Sequence, residues 1–269
     1  MANNENETVG NNLAEPMFDK LKRTLKKIEI DGELFYIAEG DLLIDEQQLP
    51  QYSLKRAASP PVNEADFRSQ LIVVAENGKM VRWKPDTILS YCILKNTFGS
   101  QEKYELVREK MTRATWDWEA VCGVKFTHKI ELDDSPTNNP ADVLFTVREI
   151  DASGRFIAAA FFPNEPRNRR RLVIDPSYYT TSFDKVGVLR HELGHVLGFR
   201  HEQIRSGAPP VCQGEEVGEV IELTAYDPKS VMHYFCGGVG SLNLEITEID
   251  KSGAQKLYGA SFDAVTFYD

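Results

Sequence analysis

The chain has 269 residues, of which 42% are hydrophobic and 27% charged, a composition typical of a soluble globular protein. Its net charge of −10 argues against nucleic acid as the main partner, because binding to phosphates requires a basic surface. No apolar run reaches the ~18 residues that a membrane-spanning helix needs. The first ten residues are polar and acidic, so we expect no signal peptide.

The first 80 residues are typical of an accessory segment rather than of the main core. Residues 1–16 are polar and are predicted to be disordered. Two hairpins are predicted around Asp31-Gly32 and Asn77-Gly78, because each dipeptide lies between short apolar runs. A proline-containing linker at residues 57–61 separates them. We therefore divide the chain into an N-terminal extension, residues 1–80, and a main domain, residues 81–269.

The main domain alternates predicted strands and helices. The periodicity of apolar residues and the capping signals predict helices at residues 102–121, at 183–197 with Thr181 or Ser182 as N-cap, and from the capping box Thr247-Glu248-Ile249-Asp250 onward. Strands are predicted at residues 88–94, 124–128, 143–147, 156–162 and 172–174. The basic run Arg167 to Arg171 is interpreted as a solvated loop in preference to a phosphate site.

The four cysteines leave two interpretations open. None of them forms a Cys-x-x-Cys pair, which argues against a cysteine metal site. The sequence-local pairing of Cys92 with Cys122 and of Cys212 with Cys236 would suit an oxidising compartment. The alternative is four buried free thiols.

The run from His191 to His201 has the spacing of a catalytic zinc site. His191 and His195 are four residues apart on a predicted helix, so both imidazoles project from one face and can share one metal ion. Glu192 is offset by about a third of a turn, which places its carboxylate beside the metal. Gly198 can adopt a positive φ and turn the chain, so that His201 returns as the third ligand. Three imidazoles leave the fourth position of Zn²⁺ open, as catalytic sites do.

This run, His-Glu-x-x-His-x-x-Gly-x-x-His, resembles the metzincin signature. Downstream, Ser230-Val231-Met232-His233-Tyr234 resembles the Met-turn of the astacin branch. The resemblance implies that Met232 forms a hydrophobic floor beneath the zinc and that Tyr234 is a displaceable metal ligand. Glu202 also fits the astacin pattern. The resemblance covers about residues 82–259, although the ending at residues 250–259 looks as much like matrixins as astacins.

The resemblance implies a fold and a mechanism. The fold would be the α+β metzincin fold, with a twisted, mixed five-stranded sheet, a backing helix and an active-site helix in residues 81–198. Residues 199–269 would form a C-terminal subdomain with the Met-turn, few regular elements and one terminal helix. Glu192 would act as general base toward water, and Tyr234 would help to stabilise the oxyanion. Residues 156–161 are a candidate edge strand for pairing with substrate, or else an ordinary buried strand.

The N-terminal extension is interpreted as a prosegment. Metzincin zymogens commonly block zinc with a prosegment residue, which is a cysteine in matrixins and an aspartate of a Phe-x-Gly-Asp motif in astacins. No cysteine precedes Cys92, whereas Gly40-Asp41 retains the Gly-Asp part without the phenylalanine. Asp41 is therefore expected to ligate zinc in a latent form, with a plain turn as the alternative. Activating cleavage is expected between Lys55 and Lys84.

Together these features predict a zinc endopeptidase with one catalytic Zn²⁺ that acts on protein or peptide substrates. We expect a secreted or extracellular monomer with no membrane span and no nucleic-acid partner. One alternative is a catalytically silent zinc-containing module that binds polypeptide, and another is an enzyme that hydrolyses a non-peptide amide. The presence of Glu192 argues against the silent module, because a pure binding site does not need a carboxylate there.

Overall fold

The computed structural model describes residues 17–57, 71–76, 78–205, 208, 212 and 220–264. The predicted disorder of residues 1–16 and most of the linker at residues 57–61 lie outside this part. The helices of the described residues are α1 (17–24), α2 (Leu49–Ala57), α3 (Gln101–Val121), α4 (Lys185–Val196) and α5 (Glu248–Tyr258). Among these described helices, none is both long and apolar enough to cross a membrane.

The strands form one large sheet and two small ones. The strands of the described residues are β1 (Lys26–Ile30), β2 (Glu33–Ala38), β3 (Leu42–Asp45), β4 (Ile72–Glu76), β5 (Lys79–Met80), β6 (Ile88–Ile93), β7 (Lys125–His128), β8 (Phe145–Glu149), β9 (Ala158–Ala159), β10 (Arg171–Ile174) and β11 (Val220–Glu222). The large sheet has the order β7-β6-β8-β10-β9. Its neighbours are parallel except for β9, which is antiparallel to β10. This confirms the predicted mixed five-stranded sheet of an α+β fold.

The inner face of the large sheet packs against α3 and α4. Side chains alternate between the two faces of a strand, so that Tyr91 and Ile93 of β6 point inward with Val147 of β8. The buried residues that α3 and α4 contribute to this core are Tyr104, Val107, Met111, Ala114, Trp118, Val188, Leu189, Leu193 and Val196. This layer of helix on sheet holds α4 in place, and α4 contains the first two histidines of the zinc motif.

The N-terminal extension covers the outer face of the large sheet. Its strands β1, β2 and β3 form an antiparallel sheet, and Asp31 and Gly32 turn the first hairpin with φ of 55° and 79°, as predicted. The apolar residues buried at this contact are Ile28, Ile30, Phe35, Ile37, Ala152, Phe156, Ala159 and Val173. The extension is therefore folded onto the main domain.

The basic run at residues 167–171 was predicted to be a solvated loop, and that prediction is wrong. The side chains of Arg169 and Arg171 are only 19% and 8% exposed. Arg169 forms an ion pair with Asp45, and Arg171 forms one with Asp31 at 3.0 Å. The acidic partners come from the N-terminal extension, more than a hundred residues earlier in the chain, so local sequence could not reveal them.

The hairpin of β4 and β5 packs with the main domain, although it precedes the predicted boundary at residue 80. Strand β4 pairs with β11 from the C-terminal part, and Val73 bridges to Phe199. Leu71 and Val73 are buried in the same core as the large sheet. The hairpin was predicted around Asn77-Gly78, of which Asn77 lies outside the described residues.

Each of the two interpretations of the cysteines is correct for one pair. Cys212 and Cys236 form a disulfide, whereas Cys92 and Cys122 are buried free thiols. Cys92 points to the outer face of β6 and packs with Leu94, while Cys122 belongs to the inner core. The sheet lies between the two thiols, which explains why the predicted Cys92–Cys122 bridge is absent.

Candidate active site

Helix α4 presents the first two histidines. Its N-cap is Asp184, whose carboxylate accepts a hydrogen bond from Gly187 N at 2.7 Å, so the prediction of Thr181 or Ser182 was two or three residues early. An Asp at this position satisfies a free N–H group of the first turn. The helix ends at Val196, at the point where the chain must reverse to bring back a third ligand.

The reversal occurs at Gly198, which has a φ of +98°. A Cβ atom at this position would lie 2.6 Å from the carbonyl oxygen of Val81, so the turn needs glycine for its conformation and for space. The backbone after the turn is held by Arg200 N, which donates to the carbonyl oxygen of Ile72 at 3.1 Å. As a result His201 lies beside the end of α4, as the spacing of the motif predicts.

The three histidines and Asp41 form one compact cluster. The Nε2 atoms of His191, His195 and His201 lie 3.3, 3.7 and 3.1 Å from Oδ2 of Asp41. The four side chains are buried, and their ligand atoms all lie within 4.8 Å of one another. Three nitrogens and one carboxylate oxygen that converge in this way are the donors of a tetrahedral zinc site.

Hydrogen bonds at Nδ1 orient two of the imidazoles. Nδ1 of His191 donates to the carbonyl oxygen of Val231 at 2.8 Å, and Nδ1 of His195 donates to that of Phe199 at 2.8 Å. Because a carbonyl oxygen can only accept, the proton is on Nδ1 and the lone pair of Nε2 points into the cluster. Burial lowers the pKa of His201 to about 3, which keeps this imidazole neutral. The residues therefore fit Zn²⁺.

Asp41 reaches the histidines from the N-terminal extension through a tight turn. Gly40 precedes it with a φ of +88°, and a Cβ atom there would lie 2.9 Å from the hydroxyl oxygen of Tyr234. Oδ1 of Asp41 is buried and has no hydrogen-bond partner among the described residues. An uncompensated buried carboxylate oxygen is costly, and a cation in the cluster would remove that cost.

Glu192 lies beside the cluster and outside the set of donors. Its carboxylate is buried, and Oε2 has no hydrogen-bond partner within the described part of the chain. Burial and, next, the charge of Asp41 raise the pKa of Glu192 well above its ordinary value. A carboxyl group with a raised pKa next to a metal site is suited to accept and return a proton near neutral pH.

The Met-turn lies beneath the histidines. Met232 is fully buried, and a side chain at Gly194 of α4 would collide with its sulfur atom. The ring of Tyr234 lies 4.3 Å from that of His201, centroid to centroid. Its hydroxyl donates to the carbonyl oxygen of Glu39 at 2.7 Å. In this state the extension therefore holds the Tyr234 hydroxyl.

Glu202 connects the third-histidine loop to the Met-turn. Its N–H donates to the carbonyl oxygen of Met232 at 2.9 Å. Its buried carboxylate accepts from Arg205 Nη1 at 2.8 Å and from Asp227 N at 3.0 Å, and burial raises its pKa to about 8. Through these bonds Glu202 supports the loop that carries His201.

Asp250 is a positioning residue that the sequence showed only as part of a capping box. The box is present, and the Asp250 carboxylate also accepts from the Ser230 hydroxyl at 2.6 Å and from Val231 N at 2.8 Å. Val231 is the residue whose carbonyl oxygen orients His191. Helix α5 is thus linked through the Met-turn to His191, which no local pattern indicates.

We expect Asp250→Asn to lower the affinity for zinc by about 10- to 100-fold, the usual effect of losing an outer partner of a ligand. The amide carries no charge and has one acceptor oxygen where the carboxylate has two, so the hydrogen bonds from Val231 N, Thr247 N and the Ser230 hydroxyl weaken. The Met-turn then shifts and His191 loses its orientation. Competition with a chromophoric chelator measures the affinity. Asp263→Asn, at an exposed residue, is the control. Unchanged affinity in folded Asp250→Asn would contradict this assignment.

Comparisons with known proteins found one matching family model and several similar solved structures. The family model described as Matrixin, a peptidase family, matches residues 82–208, slightly less than half of the chain. A structure of myroilysin is similar with a TM-score of 0.50 at 16% sequence identity, covering 70% of this chain and 98% of that one. High choriolytic enzyme 1, a hatching enzyme zinc-protease from Oryzias latipes (Medaka fish), gives a TM-score of 0.43 at 16% identity, covering 67% of this chain and 95% of that one. No curated protein sequence matches significantly.

These findings fit one class of protein. The mixed five-stranded sheet, the helix with the first two histidines and the terminal helix are arranged as the metzincin resemblance implied. The chain has the fold of the metzincin proteases, and the match to the matrixin peptidase family supports a zinc metalloendopeptidase.

Proposed function

We propose that the chain is an astacin-like zinc endopeptidase that is made in a latent form, with His191, His195 and His201 as zinc ligands. The observation on which this proposal rests is the carboxylate of Asp41 among the three imidazoles, at the position of a fourth ligand. An aspartate there, and a tyrosine ring 4.3 Å from that of His201, favour the astacin branch. The Phe-x-Gly-Asp pattern of that branch is incomplete, but Gly40-Asp41 is the part that forms the turn.

Each side chain of the site would have a separate role in peptide-bond hydrolysis. Zn²⁺ held by the three histidines would supply a Lewis acid. Glu192, which lies beside the histidines and outside the set of donors, would take a proton from the attacking water and deliver it to the leaving amine. Tyr234, once its hydroxyl is released from Glu39, would donate a hydrogen bond to the oxyanion.

The extension occupies the place of an extended substrate. Leu42 forms a parallel bridge with Ala160 just beyond β9, the edge strand of the large sheet. A substrate strand would pair with this same edge after the extension leaves. A cavity of about 240 Å³ beside Glu192 is lined by apolar side chains, among them Ile157, Phe183, Val188 and Leu244. This cavity favours substrates with a medium-sized apolar residue next to the scissile bond.

The disulfide between Cys212 and Cys236 supports secretion, because such bonds persist in oxidising compartments. We further propose that the chain acts as a monomer and that residues up to about 70 form the prosegment. The hairpin of β4 and β5 would then remain with the catalytic domain, since Leu71 and Val73 belong to its core.

A peptide library tests the proposal. A recognition site for a sequence-specific protease is added between residues 58 and 70 of the full chain, which is loaded with zinc, cut, and freed of the extension in high salt. We expect internal cleavage of library peptides, loss of this cleavage with a chelator, and recovery when zinc is returned. Cleavage that survives complete removal of zinc would refute the proposal.

The second candidate function is a silent zinc-containing module that binds polypeptide. The buried, metal-adjacent carboxylate of Glu192 argues against it, because a binding site gains nothing from an unpaired buried acid. The same experiment separates the two. A cut, zinc-loaded chain that binds library peptides and cleaves none of them would favour the module.

A further inference from the structure

Three arginines of the main domain form a cluster beneath the N-terminal extension. The exposed fraction of the side chain is 4% for Arg148, 19% for Arg169 and 8% for Arg171. Each retains one buried nitrogen without a hydrogen-bond partner among the described residues. This arginine cluster consists of Arg148, Arg169 and Arg171.

All the ion-pair partners of the arginine cluster in the described part of the chain belong to the extension. Asp31 binds Arg148 at 2.5 Å and Arg171 at 3.0 Å, and Asp45 binds Arg169. Glu33 lies at 3.8 Å from Arg169 and 4.0 Å from Arg171. The extension thus neutralises the cluster with three carboxylates, on Asp31, Glu33 and Asp45.

Removal of the extension would leave the positive charge of the arginine cluster without its paired carboxylates. Of the acids in the described main domain, none forms an ion pair with the cluster, and Glu165 is one whose charge interacts with those of Arg169 and Arg171. Its carboxylate currently accepts a hydrogen bond from Gln48 of the extension at 2.5 Å. One carboxylate cannot neutralise three guanidinium groups, so the mature enzyme would present a basic site with several free N–H donors.

The position of this site relative to the metal follows from β3. Asp41 lies at the three histidines, Leu42 bridges to Ala160, and Asp45 at the end of β3 binds Arg169. Four residues of extended chain span about 13 Å. A substrate strand on the same sheet edge would therefore place a side chain about four residues from the scissile bond next to Arg169.

We propose that Arg169, with Arg148 and Arg171 behind it, binds an acidic side chain of the substrate about four residues from the scissile bond. This inference rests on the proposed peptidase function and deepens it by naming a substrate class: polypeptides with an acidic residue at that distance from an apolar one. Asp45 of the extension would be the internal mimic of the acidic side chain. The recognition requires a carboxylate, because a planar guanidinium group binds its two oxygens together.

The test uses the zinc-loaded full chain after cutting between residues 58 and 70 and removal of the extension. The substrates are peptides with one cleavage sequence and a single Glu, Gln or Lys placed three to five residues from the cut on either side. For the position that reaches Arg169, we expect kcat/KM for Glu to exceed that for Gln by about tenfold, the effect of about 1.4 kcal/mol.

Variants of the arginine cluster test whether it causes the preference for Glu over Gln. Arg169→Gln should abolish the advantage of Glu over Gln, and Arg169→Glu should transfer the advantage to Lys. Arg113→Gln is the matched control, because Arg113 is 60% exposed on α3 and pairs with Asp117 away from the sheet edge. It should leave the Glu advantage intact.

Three results would overturn the inference in distinguishable ways. Zinc-dependent cleavage with equal rates for Glu and Gln peptides at every position would refute the acidic subsite and leave the peptidase function standing. No cleavage of any peptide would refute the peptidase function, and the subsite with it. A Glu preference that persists in Arg169→Gln, Arg171→Gln and Arg148→Gln alike would also exclude the cluster as its origin.

Discussion

Replacing Asp41 with alanine should raise the peptidase activity of the uncut, zinc-loaded chain by at least about tenfold, which corresponds to about 1.4 kcal/mol of competition removed. The carboxylate lies 3.1–3.7 Å from all three imidazoles, where water and the scissile carbonyl group would have to approach. The rise should stay below the activity of the cut enzyme, because Glu39 still binds Arg200 and the Tyr234 hydroxyl. Initial rates on a quenched fluorescent peptide measure the change.

The control for this prediction is Glu29→Ala. Glu29 is an exposed residue of β1, in the same extension, and its loss also removes one negative charge. It should leave the uncut chain as latent as wild type. If Asp41→Ala is no more active than wild type although it binds zinc, Gly40-Asp41 is a plain turn and not a latch.

Glu192→Ala should reduce cleavage by about 10²- to 10⁴-fold while zinc remains bound. Glu192 is outside the set of converging donors, so the histidines keep the metal, but no other described acid of the main domain lies in the cluster to move the proton. Rates are measured on the cut enzyme with the same peptide, and zinc content by metal analysis. Glu192→Gln should be equally inactive, because the amide has the size of the carboxylate but cannot act as a base.

The matched control for Glu192 is Glu105→Ala, which removes a part-exposed carboxylate of α3 that pairs with Arg108. It should leave both activity and zinc content unchanged. Full cleavage by Glu192→Ala would refute the general-base assignment, and loss of zinc from this variant would mean that Glu192 holds the metal.

The candidate site was predictable from sequence where its geometry is local. Four residues of helix fix the relation of His191 to His195, and one glycine with positive φ returns His201, so spacing alone defines three donors. The central sheet was predictable for a similar reason, since its buried strands are short apolar runs. Asp41 was identified from two residues of a family pattern, and its closeness to the three histidines is visible only in the folded chain.

The features that the sequence did not reveal depend on contacts between distant parts of the chain. No pattern near Arg169 shows that Asp45 will neutralise it, and a basic run alone is typical of a solvated loop. Asp250 illustrates the same limit, because its capping role is visible in sequence while its hydrogen bond to Val231 exists only in the folded chain. Likewise Cys92 and Cys122 face opposite sides of one sheet, which their separation in sequence does not reveal.

Under the proposed latent form, the pairing of β4 with β11 restricts where an activating cut can fall. A protease that cut at Lys79 or Lys84, within the window suggested by sequence, would detach Leu71 and Val73 from the core and free the backbone partner of Arg200 beside His201. A cut before Leu71 would instead leave the new amino terminus at the start of β4. The carbonyl oxygen of Ile72 in that strand accepts the hydrogen bond from Arg200 N, next to His201. Trimming of that end by even a few residues would then be an irreversible means of inactivating the mature enzyme.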